Sequence, residues 1–221
     1  MGWGTCRCIE TIWNVALMLW YENEVQRLEK EKAALTYDPK MVFYGSSSIR
    51  LWESLYEDFG KYQPVNLGFG GSTLAACVWF FDRLVGMYHP SSIIVYAGDN
   101  DLGDGRHPEE VFIFFKQLVA SVRERFGDIP CAFISVKPSI IRWNIVDSIR
   151  YTNTLIEAEI KKQGGNLHFI NVYNQMTDNS GYPKREFLDP DGLHINAKGY
   201  DLWRRVVTEY IAHSIDDQRI P

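Results

Sequence analysis

The chain has 221 residues, of which 46% are hydrophobic and 23% are charged. These values fit a single globular domain that buries a sizeable core. The formal net charge is −5 and the 23 Lys and Arg residues are dispersed, so binding to the phosphate backbone of a nucleic acid is not expected. The cysteines form no Cys-x-x-Cys pair, and we expect reduced, mostly structural thiols at Cys6, Cys8, Cys77 and Cys131.

The N-terminal stretch CIETIWNVALMLWY is apolar but shorter than the roughly 20 apolar residues that a bilayer requires. Glu10 and Asn14 interrupt it, and no small-residue cleavage site follows it. Its spacing predicts an amphipathic helix over about residues 11–35. The face directed at the domain or at a partner comprises Trp13, Leu17, Trp20, Val25 and Leu28.

We therefore predict an N-terminal amphipathic helical extension over residues 1–37 and one globular domain over residues 38–221. A cytoplasmic protein is expected, and the extension offers two further roles. It can form a homodimer, or it can attach the protein peripherally to a membrane.

Strand-like and helix-like patterns alternate from residue 41 onward. Five short apolar runs contain or meet glycine, proline, asparagine or a polar turn near their carboxyl ends: MVFYGS, PVNLGF, SSIIVYAG, CAFISVKP and LHFINVY. Helical patterns cover about residues 73–85, 108–126, 147–163 and 197–214. This alternation predicts an α/β fold in which helices cover both faces of a five-stranded parallel sheet.

Polar or glycine-rich segments follow the predicted strands. They read GSSS, GFGGST, GDND and KPSIIRW after the first four strands, and DPDGLHIN before the last helix. Ligands of open parallel sheets bind outside the carboxyl ends of the strands. These segments are therefore expected to form the functional site together.

The segment DPDGLHIN places Asp191 three residues before His194 on a glycine-containing turn. A carboxylate at this spacing can accept a hydrogen bond from one imidazole nitrogen, which leaves the other nitrogen as a base. Asp189 is a competing carboxylate. A lone pattern of this kind also fits a loop aspartate beside an exposed histidine.

The serine run GSSS supplies a candidate nucleophile, although Ser46 or Ser48 also suits the N-cap of a following helix. Acyl transfer further needs donors for the oxyanion. Gly71 can offer an unobstructed backbone N–H, and Asn100 can offer a side-chain amide.

These blocks resemble the SGNH hydrolases, also called GDSL-type esterases, lipases and acylhydrolases. The resemblance spans roughly residues 41–211, and the four blocks occur in the family order. By position, YGSSSI assigns the nucleophile to Ser47, NLGFGGST assigns Gly71, and AGDND assigns Asn100. The block DGLH assigns Asp191 and His194.

The resemblance implies a flavodoxin-like three-layer α/β/α fold, hydrolysis of esters or thioesters, and no metal or cofactor. His194 would take the proton of Ser47, and the oxyanion would lie between the backbone N–H groups of Ser47 and Gly71 and the Asn100 side chain. A buried Asp191 would stabilise the imidazolium. Ser46 occupies the place of the family's aspartate, which is not a triad member. The substitution therefore concerns the geometry of the turn and the branch of the family, and not catalysis itself. The GSSS form resembles a bacterial branch.

Short connections and the lack of a spare apolar segment predict an open site for a small-molecule ester, such as an acetylated carbohydrate. Arg142 and Trp143 are candidate substrate-binding residues at its rim. Two alternatives remain for the whole chain: a lysophospholipase- or thioesterase-type lipid acylhydrolase, and a non-catalytic glycan-binding module on the same fold.

Two motif alternatives are disfavoured. GFGG departs from the dinucleotide-binding pattern G-x-G-x-x-G. The acids of GDNDLGD lack the spacing of a calcium loop, so we interpret Asp99, Asp101 and Asp104 as solvated loop acids.

Overall fold

A computed structural model describes residues 18–216 of the chain. Five parallel strands form one sheet in the order β2-β1-β3-β4-β5. The strands are β1 (Met41–Gly45), β2 (Pro64–Gly68), β3 (Ser92–Tyr96), β4 (Cys131–Ile134) and β5 (Leu167–Ile170). Each of them lies within one of the five apolar runs, and the predicted α/β fold is confirmed.

The helices flank the sheet. They are α1 (Glu22–Ala33), α2 (Ser47–Arg50), α3 (Leu55–Asp58), α4 (Leu74–Trp79), α5 (Phe81–Leu84), α6 (Asp99–Gly103), α7 (Pro108–Phe126), α8 (Val146–Gln163) and α9 (Ala197–Ile211). The predicted helix over residues 108–126 is confirmed at both ends. Pro108 lies in its first turn, where no backbone N–H donor is needed, and Gly127 follows its last residue.

The expected single helix over residues 73–85 is wrong, because α4 and α5 are separated at Phe80. The ring of Phe80 packs edge-on against Tyr21 and Phe69, with centroid distances of 6.4 and 6.1 Å. These long-range contacts accompany the break, which the local pattern does not reveal.

Only part of the predicted N-terminal helix falls within the described residues. Val25 and Leu28 of α1 are buried in the core, whereas the Trp20 side chain is 81% exposed and does not pack against the domain. Trp13 and Leu17 lie outside the described residues. Each helix that the structure describes is too short or too polar to cross a bilayer.

Side chains of β1, β3 and β4 alternate between two cores, which explains why these strands read as continuous apolar runs. Val42 and Tyr44 of β1 face a core formed with α1, α4, α5, α7 and α8. Met41 and Phe43 face a second core, which is formed with α2, α3 and α9. In this core Trp52 packs against Trp203 of α9. The result is the three-layer sandwich that the resemblance implied.

The strand order reverses at β1, because the chain places β2 on one side of β1 and then β3 on the other. Ligands bind such sheets at the carboxyl edge beside this switch point. The segments after β1 and β3 carry GSSS and GDND, so the switch point falls between the candidate nucleophile and the candidate oxyanion amide.

Candidate active site

The three consecutive serines differ in their accessibility. Ser46 is the N-cap residue of α2, Ser47 is its first residue, and Ser48 follows. Ser46 and Ser48 are buried, whereas Ser47 is partly exposed. The backbone N–H of Ser46 donates to Tyr96 O at 2.9 Å, which holds the turn against β3. Of the three hydroxyl groups, that of Ser47 is therefore the one open to a substrate.

Asp191 and His194 meet at the turn between residues 189 and 195. His194 Nδ1 lies 2.6 Å from Asp191 Oδ2. The backbone N–H groups of Leu193 and His194 donate to Asp191 Oδ1 at 2.8 and 3.0 Å. The hydrogen bond from His194 and that from Leu193 lower the pKa of Asp191 to about 2. An ionised carboxylate only accepts, so Nδ1 carries the proton and Nε2 of the neutral ring is the basic nitrogen.

The expectation of a buried triad acid is wrong in this structure. The Asp191 side chain is 49% exposed, and that of His194 is 33% exposed. The turn lies at the protein surface, where solvent screens charge–charge interactions. Solvent therefore weakens the electrostatic effect of the Asp191 charge on the imidazole, while the hydrogen bond still fixes the orientation of the ring.

Contacts from two directions position the His194 turn. The backbone N–H of Ile140, in the segment after β4, donates to Gly192 O at 2.9 Å. At the start of α9, the Tyr200 hydroxyl donates to Ser48 O at 3.0 Å. The first bond joins the histidine turn to the segment after β4, and the second holds the start of α9, which follows this turn, against the nucleophile turn. Asp189 meets His194 only through the backbone, where its N–H donates to His194 O at 2.8 Å.

Asn100 lies in the first turn of α6, and both ends of its amide are engaged. Nδ2 donates to Ser72 O at 3.0 Å, and Oδ1 accepts from Arg142 Nη2 at 2.9 Å. One N–H of the amide thus remains for an external acceptor. Gly71 is exposed with φ at +68°, a conformation that favours glycine. Asn100 therefore connects directly to the loop that carries Gly71.

Behind Asn100 lies a cluster of charges that the sequence did not predict. Arg142 Nη1 lies 2.9 Å from Asp99 Oδ2, and Lys137 Nζ lies 3.5 Å from the same oxygen. Lys137 is fully buried. Desolvation lowers its pKa, and the opposing effect of the nearby Asp99 is smaller. Arg142 was expected at a substrate-contacting rim. Its guanidinium is mostly buried and donates to Asn100 Oδ1, and its contact with substrate stays a prediction.

The interpretation of Asp99 and Asp101 as solvated acids is wrong, because both are buried, while Asp104 is exposed. Asp101 Oδ2 accepts from the Leu74 N–H at 2.8 Å, and Oδ1 pairs with Arg106 at 3.2 Å. Burial raises the pKa of Asp101 to about 6. Asp101 thereby ties the GDND segment to the start of α4, directly after the Gly71 loop.

Trp143 follows Arg142 in the segment after β4, and its side chain is partly exposed. Its ring packs edge-on against Tyr182, with centroids 4.7 Å apart, and the Arg150 guanidinium lies 5.6 Å from its ring. The neighbouring Ile141 side chain is exposed. The position fits a rim of the site, and its contact with substrate stays a prediction.

Residues 36–202 match the sequence model of the GDSL-like lipase/acylhydrolase family. The chain belongs to this family. Family membership places the protein among ester hydrolases, as the four blocks predicted. No curated protein sequence matches the chain at a significant level.

Solved structures share the fold at low sequence identity. A GDSL-like lipase from Bacteroides thetaiotaomicron has a TM-score of 0.75 and 22% identity, and the match covers 86% of this chain and 98% of that one. A carbohydrate esterase family 3 structure from Talaromyces cellulolyticus has a TM-score of 0.68 and 16% identity, covering 80% and 98%. The acetyl xylan esterase AlAXEase has a TM-score of 0.66 and 16% identity, covering 78% and 99%. These similarities establish the fold.

The sequence analysis did not assign Tyr96, Asp99 or Lys137 to the site. They lie behind Asn100 and the nucleophile turn, inside the protein. Burial and the nearby Asp99 raise the pKa of Tyr96 well above its usual range, so its hydroxyl stays protonated. A charged residue after a strand was the only available signal for Asp99 and Lys137, and such residues are usually solvated.

Proposed function

We propose that the protein is a serine esterase that removes small acyl groups through Ser47, His194 and Asp191. The observation that carries the proposal is the 2.6 Å contact between His194 Nδ1 and Asp191 Oδ2 on a turn packed beside the nucleophile turn. It leaves Nε2 of His194 as the base of the pair. Ser47 supplies an accessible hydroxyl at the same edge of the sheet.

In the first half-reaction, Ser47 Oγ attacks the acyl carbonyl carbon while His194 Nε2 takes the hydroxyl proton. The negative charge that develops on the carbonyl oxygen is stabilised by the backbone N–H groups of Ser47 and Gly71 and by the free N–H of Asn100. The tetrahedral intermediate then collapses. His194 returns the proton to the departing alcohol, and the acyl group stays on Ser47.

In the second half-reaction, His194 Nε2 takes a proton from water, which attacks the acyl carbon. The same three donors stabilise the second oxyanion. Collapse releases the carboxylic acid and returns the proton from His194 to Ser47. Asp191 keeps the imidazole in the orientation and tautomer that both steps need.

The proposed substrate is a short acyl ester of a small polar alcohol. Support comes from the partial exposure of Ser47 and His194, which leaves the site open to solvent. A carbohydrate esterase and an acetyl xylan esterase share the fold, which favours an acetylated sugar. A long acyl chain gains affinity from burial against apolar surface, and an open polar site provides little of it.

Aryl esters with acyl chains of two to sixteen carbons test this preference. We expect kcat/KM to be highest for acetyl and butyryl esters, and we expect no increase when long substrates form micelles. Hydrolysis is followed by release of the aryl alcohol below and above the micellar concentration. A rate that rises with chain length or at micelle formation would identify a lipid acylhydrolase instead.

A fluorophosphonate probe in the same experiment separates an esterase from a glycan-binding module. The probe phosphonylates an activated serine, so stoichiometric labelling of the wild type supports the enzyme. A folded protein that resists the probe and cleaves none of the esters would overturn the proposed function.

Substitution of Asn100 by alanine is expected to lower kcat about 10²-fold with little change in KM. The amide acts on charge that is present mainly in the transition state, so substrate binding is hardly affected. Steady-state kinetics with an aryl acetate measure both constants. A change confined to KM would assign Asn100 to substrate positioning.

A further inference from the structure

Helix α1 packs directly on the loop that carries Gly71. Tyr21, just before its first turn, and Val25 and Leu28 are all buried in the core. The Tyr21 ring meets Phe69 edge-on, with centroids 5.6 Å apart. Phe69 lies two residues before Gly71, so the helix touches the loop next to a proposed oxyanion donor.

A hydrogen bond extends this contact to Gly71 itself. The Tyr21 hydroxyl donates to Gly71 O at 3.2 Å. The next carbonyl, that of Ser72, accepts from Asn100 Nδ2 at 3.0 Å. Two consecutive carbonyls of the loop are therefore held by side chains from two separate elements. The left-handed torsions of Gly71 join the peptide that carries its N–H to the peptide whose oxygen Tyr21 holds, so this anchor bears on the direction of the N–H.

A second contact connects α1 to the nucleophile turn. Glu24 Oε2 lies 3.0 Å from Arg50 Nε and 3.5 Å from the Gly70 N–H. Arg50 is the last residue of α2, whose first residue is Ser47. Gly68 packs so closely on this helix that a Cβ there would lie 2.2 Å from Arg50 N. Glu24 thus contacts the backbone of the Gly71 loop and the side chain of the last residue of α2.

We infer that Tyr21 and Glu24 are positioning residues, which hold the Gly71 and Ser47 N–H groups at the separation that an oxyanion requires. This inference rests on the proposed function. The matched family segment begins at residue 36, so α1 lies before it. Helix α1 would then be a part of the catalytic scaffold as well as a cover of the sheet.

The strengths of the two contacts differ. The Tyr21 residue is only 9% exposed, and removal of its hydroxyl leaves Gly71 O without this donor. The Glu24 pair is partly solvated, with side chains 29% and 41% exposed, so it contributes less. Tyr21→Phe should therefore have the larger effect, and Glu24→Gln should add to it.

The opposite side of α1 offers a matched control. Glu22 and Glu29 both pair with Arg83 of α5, at 2.9 and 3.0 Å. Glu29→Gln removes one charge of this pair while Glu22 keeps the helix attached. The substitution touches neither the Gly71 loop nor α2.

We expect Tyr21→Phe to lower kcat about fivefold, and Tyr21→Phe/Glu24→Gln to lower it more than tenfold, with KM unchanged within twofold. The rate of fluorophosphonate labelling should fall in parallel, because phosphonylation also develops negative charge on an oxygen in the hole. Glu29→Gln should keep kcat within twofold. If the two residues had only a structural role, their substitution would lower the melting temperature without lowering kcat selectively over KM.

Amide hydrogen exchange provides a readout that does not require activity. Exchange over residues 68–73 should be faster in Tyr21→Phe and faster still in the double variant, but unchanged in Glu29→Gln. The inference would be overturned if Tyr21→Phe and the double variant kept the kcat and the exchange rates of the wild type. It would also be overturned if Glu29→Gln changed both quantities as much as they do. If the wild type were inactive and resisted the probe, the proposed esterase function would be rejected. The catalytic role of α1 would be rejected with it, even if the exchange rates showed that α1 holds the loop.

Discussion

Replacing Ser47 with alanine is expected to lower kcat for aryl acetate hydrolysis by about 10³-fold or more. Without Oγ no acyl-enzyme forms, and only the oxyanion donors and substrate binding remain to accelerate direct attack by water. The loss should appear in kcat under steady-state conditions, with a melting temperature close to that of the wild type. Labelling by a fluorophosphonate should disappear at the same time.

The neighbouring serines are matched controls for this assignment. Ser46→Ala should keep appreciable activity, because the buried Ser46 hydroxyl has no hydrogen-bond partner among the described residues and loses none when it is removed. Ser48→Ala should also keep appreciable activity, since its hydroxyl is buried. Mass spectrometry of the labelled protein identifies the modified residue. A phosphonyl group on Ser46 or Ser48 would show that the nucleophile is misassigned.

The local pattern of the sequence was enough to predict the sheet and its carboxyl edge. Apolar runs such as MVFYG are buried on both faces, and each ends where a polar segment leaves the sheet. The start of α7 was also readable, because HPEE combines Pro108 in the first turn with a Glu110 side chain that accepts from the His107 N–H. In these elements, one continuous stretch of the sequence contains all the residues that predict the structure.

The contacts that organise the candidate site are mostly between distant parts of the chain. Asp191 and His194 are three residues apart, so their pairing was predictable from spacing. The Arg142–Asn100 bond joins residues 42 positions apart, and the Tyr21–Gly71 bond spans 50 positions. A single sequence with local patterns cannot reveal such pairs.

Burial of charge was the other feature that sequence patterns did not predict. Asp99 and Lys137 each follow a strand, where a charged side chain usually points to solvent. Here they face one another inside the protein, and Arg142 completes the cluster. Among residues 18–216, Lys137 and Arg142 offset the cost of burying Asp99, and both come from the segment after β4. Their assembly therefore depends on the tertiary fold.

Replacing Asp191 with asparagine is expected to lower kcat about 10²- to 10³-fold while the protein stays folded. The asparagine amide can donate to Nδ1, which favours the tautomer with its proton on Nε2 and removes the base. A buried triad acid can contribute about 10⁴-fold. We expect less here because the Asp191 side chain is 49% exposed, so solvent already screens its charge.

The pH profile distinguishes this role from a structural one. With the wrong tautomer favoured, hydroxide can partly replace the base, so the activity that remains in Asp191→Asn should rise with pH above neutrality. Asp189→Asn is the control, since Asp189 contacts His194 only through its backbone N–H. It should keep most of the wild-type kcat and the wild-type pH profile. If Asp189→Asn abolished activity while Asp191→Asn was mild, the acid that orients His194 would be Asp189, and the contact between Asp191 and His194 would not be the catalytic one.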